Sequence, residues 1–198
     1  TFIAAEKQYI AGNYSGAISS FSEYLQRYCP SGKFCALAQN YLADSYYSSN
    51  NRQKALEEYA KITTQKGNPY AEEAALRAAE IAYDGKDYSA AMSYFKKLDE
   101  VAQSTENKNI ARLGVLRSSY MLNDEVQTIQ IAGEIAADPK STADMKSEAL
   151  LNRAKVLVKQ NKPSDAMKDL SGINIDTRTS IGAEAKYMLS EIYFRLNQ

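Results

Sequence analysis

Apolar residues recur at i, i+3, i+4 and i+7 in segment after segment of this chain, with polar residues between them. That period puts the apolar side chains on one stripe of a helix, so the segments predict amphipathic α-helices. The helices come in pairs joined by short polar turns. Gly12-Asn13-Tyr14-Ser15-Gly16-Ala17-Ile18 precedes Phe21 and Leu25, and Asn50-Asn51-Arg52-Gln53-Lys54-Ala55-Leu56 precedes Tyr59 and Ile62. Lys86-Asp87-Tyr88 leads to Ala91, Phe95 and Leu98, Asn123-Asp124-Glu125 to Thr128, Ala132 and Ile135, and Asn161-Lys162-Pro163 to Ala166 and Leu170. The small residue after each turn is Ala17, Ala55, Ala91, Thr128 and Ala166, at spacings of 38, 36, 37 and 38. Five such turns in step are an internal repeat.

The helix before each turn carries a small residue at its middle: Ala5, Ala43, Ala79, Ala154 and Ser190, with Leu116 beside Gly114 in the fourth copy. Small residues there let two helix backbones approach, and Phe21, Tyr59, Phe95 and Leu170 of the second helices fill the space between neighbours. Pro30, Pro69 and Pro139 fall between repeats, where one helix stops and the next begins. Pro163 falls at an intra-repeat turn, where it suits the first position of a helix. Strand signals are weak, and Ile173-Asn174-Ile175, the one short candidate, reads as a loop. The expected fold is an all-α superhelical solenoid of about five helix–turn–helix repeats plus one extra helix, without β-sheet. The expected repeats are 1–31, 32–67, 68–104, 105–140 and 141–176, with a final helix over 177–198. Both ends fall inside a repeat, so the sequence reads as a piece of a longer array, with a solvent-tolerant capping role for the last helix as the alternative.

Composition narrows the function classes. The 198 residues hold 24 Lys+Arg, 24 Asp+Glu and no His, for a formal net charge of zero. A neutral chain without a basic run is a poor match for a phosphate backbone, so no nucleic-acid partner is expected. Without His there is no Ser–His or Cys–His nucleophile, and the commonest metal ligand is missing. Two cysteines alone cannot build a structural zinc site. No phosphate-cradling loop or nucleophile elbow is present. The expectation is a non-enzyme with no metal and no cofactor. No apolar run is long enough to span a membrane. Any targeting signal lies outside this chain.

The repeat period, the mid-helix small residues and the inter-repeat prolines resemble the tetratricopeptide repeat family, whose unit is a helix–turn–helix of about 34 residues. The longer 36–38 spacing is similar to that of a bacterial envelope subset. That subset includes the outer-membrane lipoprotein of β-barrel assembly and the periplasmic coordinator associated with the Tol system. The segment Phe21 to Tyr47 is most alike, with Tyr24-Leu25, Tyr28-Cys29-Pro30-Ser31, Phe34, Ala38, Tyr41-Leu42-Ala43 and Tyr46-Tyr47. Cys29 departs slightly from the subset's link. The resemblance implies a protein–protein interaction scaffold in the periplasm or at the outer membrane, with the cytoplasm as the alternative.

In such superhelices the first helix of each repeat lines a concave groove, which a protein or peptide partner occupies. Three registers of the first helices would then face it. One is Tyr9, Tyr47, Tyr83, Tyr120, Val158 and Phe194. The next, one turn earlier, is Glu6, Asp44, Glu80, Arg117, Lys155 and Glu191, and the third is Phe2, Asn40, Leu76, Leu113, Leu151 and Tyr187. At spacings of i, i+4 and i+7 they share one helix face. Tyr9, Tyr47, Tyr83, Tyr120 and Phe194 form a candidate aromatic ladder, with Glu6, Asp44 and Glu80 setting a preference for a basic segment. Half-buried packing between adjacent helices explains the same tyrosines equally, and both readings stay open. Glu6 and Asp44 carry the wrong charge for the family's carboxylate-gripping subclass. Sugar binding on the aromatic ladder and a regulatory arm of a larger cytosolic protein are the alternative functions. The last helix also offers a surface for homo-oligomerisation.

Cys29 and Cys35 bracket a Pro- and Gly-containing turn that can bring their Cα atoms within disulfide range. A disulfide there fits an oxidising compartment, and two free thiols fit a reducing one.

Overall fold

The computed structural model describes residues 1–173, 176 and 178–197. Among them are eleven α-helices and no strand. They fall into two compact units, Thr1–Lys108 and Asn109–Gln198. The first unit holds α1 (Phe2–Ile10), α2 (Tyr14–Tyr28), α3 (Cys35–Ser48), α4 (Arg52–Thr64), α5 (Ala71–Asp84) and α6 (Tyr88–Val101). The division falls within α7 (Thr105–Met121), and the second unit continues with α8 (Glu125–Ala137), α9 (Ala143–Lys159), α10 (Pro163–Ser171) and α11 (Ser180–Leu196). Asn174 and Ile175 of the expected 173–175 loop lie outside the described residues. None of the described helices is long and apolar enough to cross a membrane.

One turn chemistry recurs five times. The first helix ends in a residue with positive φ: Gly12 (74°), Asn50 (62°), Lys86 (62°), Asn123 (55°) and Asn161 (57°). Its N–H donates three residues back, to the carbonyls of Tyr9, Tyr47, Tyr83, Tyr120 and Val158. The N–H of the next residue donates five back, to Gln8, Tyr46, Ala82, Ser119 and Leu157. This is a Schellman ending, which satisfies carbonyls that the helix leaves open. That second residue then caps the following helix. Asn13, Asn51, Asp87 and Asp124 accept from the N–H three residues on, at 3.1, 3.3, 3.0 and 3.0 Å. Lys162 has no capping side chain, and Pro163 at the first turn of α10 supplies a preset φ and no orphan donor.

Close packing follows from the small residues. In the first unit Ala5, Ala43 and Ala79 are wholly buried, and so are Phe21 and Tyr59, which plug the gaps between helix pairs. Ala17, Ala55 and Ala91, just after the turns, are equally buried. The second unit repeats the arrangement with Leu116, Ala132 and Ile135 in one cluster and Ala154, Ala166 and Leu170 in another. Ser190 of α11, at the same register as the buried alanines, is exposed.

Cys29 and Cys35 form a disulfide with Cα atoms 5.7 Å apart, tying the end of α2 to the start of α3.

Candidate functional site

The candidate residues of the first unit lie on α1, α3 and α5, where the ends of the helices bring tyrosines and carboxylates together. Asp44, on the third turn of α3, is the centre of this group. Its Oδ1 accepts from the Tyr59 hydroxyl of α4 at 2.5 Å, and its Oδ2 accepts from Asn40 Nδ2 at 3.3 Å. Burial raises the Asp44 pKa above the ordinary carboxylate value. The Tyr59 hydrogen bond opposes that shift, the Glu73 charge on α5 adds to it, and the Arg77 charge opposes it. Tyr59 is wholly buried, and burial followed by the Asp44 hydrogen bond pushes its hydroxyl far up.

The other candidates surround this centre. Tyr9 is half-buried and stacks on Tyr41, ring centroids 4.6 Å apart, with Tyr14 edge-on at 5.9 Å. Burial raises the Tyr9 hydroxyl pKa, and the Asp44 charge raises it further. Glu6 lies beside Tyr41, whose pKa is raised by burial and then by the Glu6 charge. Tyr47 has guanidinium groups over its ring, Arg52 at 5.4 Å and Arg77 at 5.6 Å from the centroid. Arg77 also donates to Glu80 at 3.2 Å. Tyr83 meets Tyr88 and Phe95 edge-on at 5.2 and 6.4 Å. Each of these tyrosines therefore has an intramolecular partner, and each keeps part of its surface in solvent.

Tyr120 and Phe194 belong to the second unit. Lys155 Nζ lies 5.8 Å from the Tyr120 ring, and Tyr120, Glu125, Lys155 and Lys159 line a recess of about 260 Å³. Phe194 is 66% exposed on α11. Two cations of this unit are matched across neighbouring first helices. Arg117 grips Glu148 through two hydrogen bonds of 2.5 and 2.8 Å, and Lys155 meets Glu184 at 2.8 Å.

Sequence reasoning missed Glu73, Arg77, Tyr41 and the role of Tyr59. Tyr59 did carry a signal. Its register holds Phe21 and Phe95 in the adjoining repeats, and a hydroxyl at a buried phenylalanine register calls for an acceptor. Glu73 stands seven residues before Glu80 and so shares its face, a relation open to the same register arithmetic. Arg77 over Tyr47 joins two helices through side-chain conformation, which no spacing reveals. Among the described residues no three His, Cys, Asp or Glu side chains converge as a metal-ligand set.

Comparison with known proteins places this geometry among repeat proteins. The family model for the tetratricopeptide repeat matches residues 5–71 and 42–105. No curated protein sequence matches the chain. A Podosopora anserina protein, described as a putative kinesin light chain with nearly identical TPR-like repeats, aligns over 96% of this chain and 93% of its own. Its TM-score is 0.52 and its identity 8%, a likeness of fold alone. The TPR domain of P58(IPK) aligns at TM-score 0.49 and 15% identity over all of this chain, which spans 55% of that one. A tetratricopeptide repeat protein from Parabacteroides merdae aligns at TM-score 0.46 and 16% identity over 99% of this chain and 85% of its own.

Proposed function

We propose that this chain, which belongs to the tetratricopeptide repeat family, is a non-enzymatic scaffold that holds a segment of a partner protein against the face formed by α1, α3 and α5. The observation that carries the reading is the grouping of Glu6, Asp44, Glu73 and Glu80 beside the half-buried tyrosines Tyr9, Tyr41 and Tyr47. Half-buried tyrosine offers an apolar ring edge and a hydroxyl at low ordering cost, which suits peptide contact. The carboxylates favour a segment carrying Lys or Arg and would speed its encounter. Sugar stacking is less well supported, because Tyr41, Arg52 with Arg77, and Lys155 already cover ring faces of Tyr9, Tyr47 and Tyr120.

The disulfide supports an oxidising compartment, and with the 36–38 residue spacing it favours the bacterial cell envelope as the setting. The functional test starts from a partner isolated on the immobilised chain and then purified. Titration calorimetry compares that partner's affinity for the parent and for Glu80→Lys, with circular dichroism confirming equal helicity. A loss of affinity of about tenfold or more is expected, the equivalent of one charged contact. Equal affinity would move the docking surface elsewhere.

A further inference from the structure

One pair of register positions occurs in both units, and its charges differ in kind. In the second unit Arg117 of α7 pairs with Glu148 of α9, and Lys155 of α9 pairs with Glu184 of α11. Arg117 and Lys155 occupy the register of Asp44, and Glu148 and Glu184 occupy the register of Glu73. Each second-unit pair thus sets a cation on one first helix against a carboxylate on the next. In the first unit the cation's place is taken by Asp44, within electrostatic range of Glu73. Arg77 is nearby, but its guanidinium is held at Glu80 and over Tyr47. Four carboxylates, Glu6, Asp44, Glu73 and Glu80, share this face with Arg77, and Arg52 reaches Tyr47 from α4 and pairs with Asp84.

A second observation points to a missing donor. Asn40 is 5% exposed, and its amide is aimed at Asp44, to which Nδ2 donates. Its Oδ1, on the same carbon as that nitrogen, has no hydrogen-bond partner. A buried amide oxygen without a donor is costly. Asp44 and Asn40 therefore present adjacent acceptors on one face of α3, and the Asn40 oxygen lacks a donor.

We propose that this pair of acceptors receives a single Lys or Arg side chain of the bound segment, which completes between Asp44 and Glu73 the cation–carboxylate pairing that the second unit makes from its own residues. The proposal rests on the scaffold reading above and adds its charge specificity. The ammonium or guanidinium donates to Asp44 and Asn40 and faces Glu73, while the neighbouring peptide lies along Tyr9 and Tyr47. A partner with an acidic or apolar residue at this point leaves the carboxylates unpaired and binds more weakly.

The test probes the full chain with an array of random nine-residue peptides whose central residue is fixed as Lys, Arg, Ala, Asp or Glu. The strongest binders are resynthesised, and fluorescence anisotropy measures each against its central-Ala version. Lys and Arg peptides are expected to bind about tenfold tighter than their Ala versions, the effect of one charge-assisted hydrogen bond. Asp44→Asn removes the charge with little change of shape, and Glu73→Lys, at an exposed position, supplies the cation from within the chain. Either variant, with helicity unchanged, is expected to reduce the preference to about onefold. Binding that ignores the central residue overturns this proposal and leaves the scaffold reading standing. A Lys preference undiminished in both variants also overturns it. Binding by none of the peptides overturns both.

Discussion

The Tyr59 hydroxyl lies 2.5 Å from Asp44 Oδ1 and joins the buried second helix of a repeat to the carboxylate on its first helix. Phenylalanine fills the same register at Phe21 and Phe95, so the ring alone suffices for packing. Tyr59→Phe keeps the ring and removes the donor. It is expected to lower stability by about 2 kcal/mol, the usual worth of a hydrogen bond to a charged group. Urea unfolding at neutral pH measures this, and an unchanged midpoint would mean that solvent replaces the hydroxyl.

Asp44 also gives a pH signature. Its folded pKa is raised by burial above the ordinary aspartate value of 3.8, with Glu73 adding to the rise. Between 3.8 and the raised value the folded chain holds a proton that the unfolded chain has released. Stability attributable to this group is thus full below 3.8 and is lost as pH rises through the folded pKa. Asp44→Asn removes the titration, and its side-chain carbonyl still accepts from Tyr59. The variant is expected to gain stability relative to the parent as pH rises from 3.8 toward neutrality. Thermal unfolding of both proteins across that range checks the sign, and a variant that loses ground with rising pH would contradict it.

In the second unit Asp169 of α10 is buried, and Arg153 of α9 grips it with hydrogen bonds of 2.7 and 2.5 Å. Asp169→Ala leaves a largely buried guanidinium without its partner, and a loss of about 3 kcal/mol is expected. Replacing both residues by Arg153→Met and Asp169→Leu is expected to recover most of it, because the pair's gain is offset by desolvation. Denaturant unfolding of Asp169→Ala and of the double variant, each against the parent, provides the comparison. A double variant less stable than Asp169→Ala would contradict this account.

Among the described residues, Lys86 is the one with positive φ that is neither Gly nor Asn. A side chain with a Cβ meets its own backbone in that conformation, and asparagine tolerates it best after glycine. Lys86→Asn copies the residue at Asn50, Asn123 and Asn161 and is expected to stabilise the chain by about 0.5 kcal/mol. Calorimetric melting should show a higher midpoint, and a lower one would mean that the lysine side chain makes a contribution of its own.

The turns were legible because their chemistry is local. A residue that accepts positive φ followed by Asn or Asp is visible in two consecutive letters, whether at Gly12-Asn13 or Asn123-Asp124. Burial of Ala5, Ala43 and Phe21 was legible for a related reason, since helix period fixes which side faces the neighbour. The tyrosine register was visible as spacing, and its surroundings were not. Arg52 and Arg77 reach Tyr47 from α4 and α5, and Tyr59 reaches Asp44 from α4. Such contacts depend on how one helix pair lies on the next and on the rotamers of long side chains. Nor did the repeat period reveal that Tyr9, Tyr47 and Tyr83 belong to one compact unit and Tyr120 and Phe194 to another.

The central claim is that a partner segment docks on the face of α1, α3 and α5. Hydrogen–deuterium exchange of the chain with and without its purified partner tests it most directly. The account predicts added protection in the segments spanning α3 and α5, around Asp44, Tyr47, Glu73 and Glu80. Protection confined to α2, α4 and α6 would contradict it.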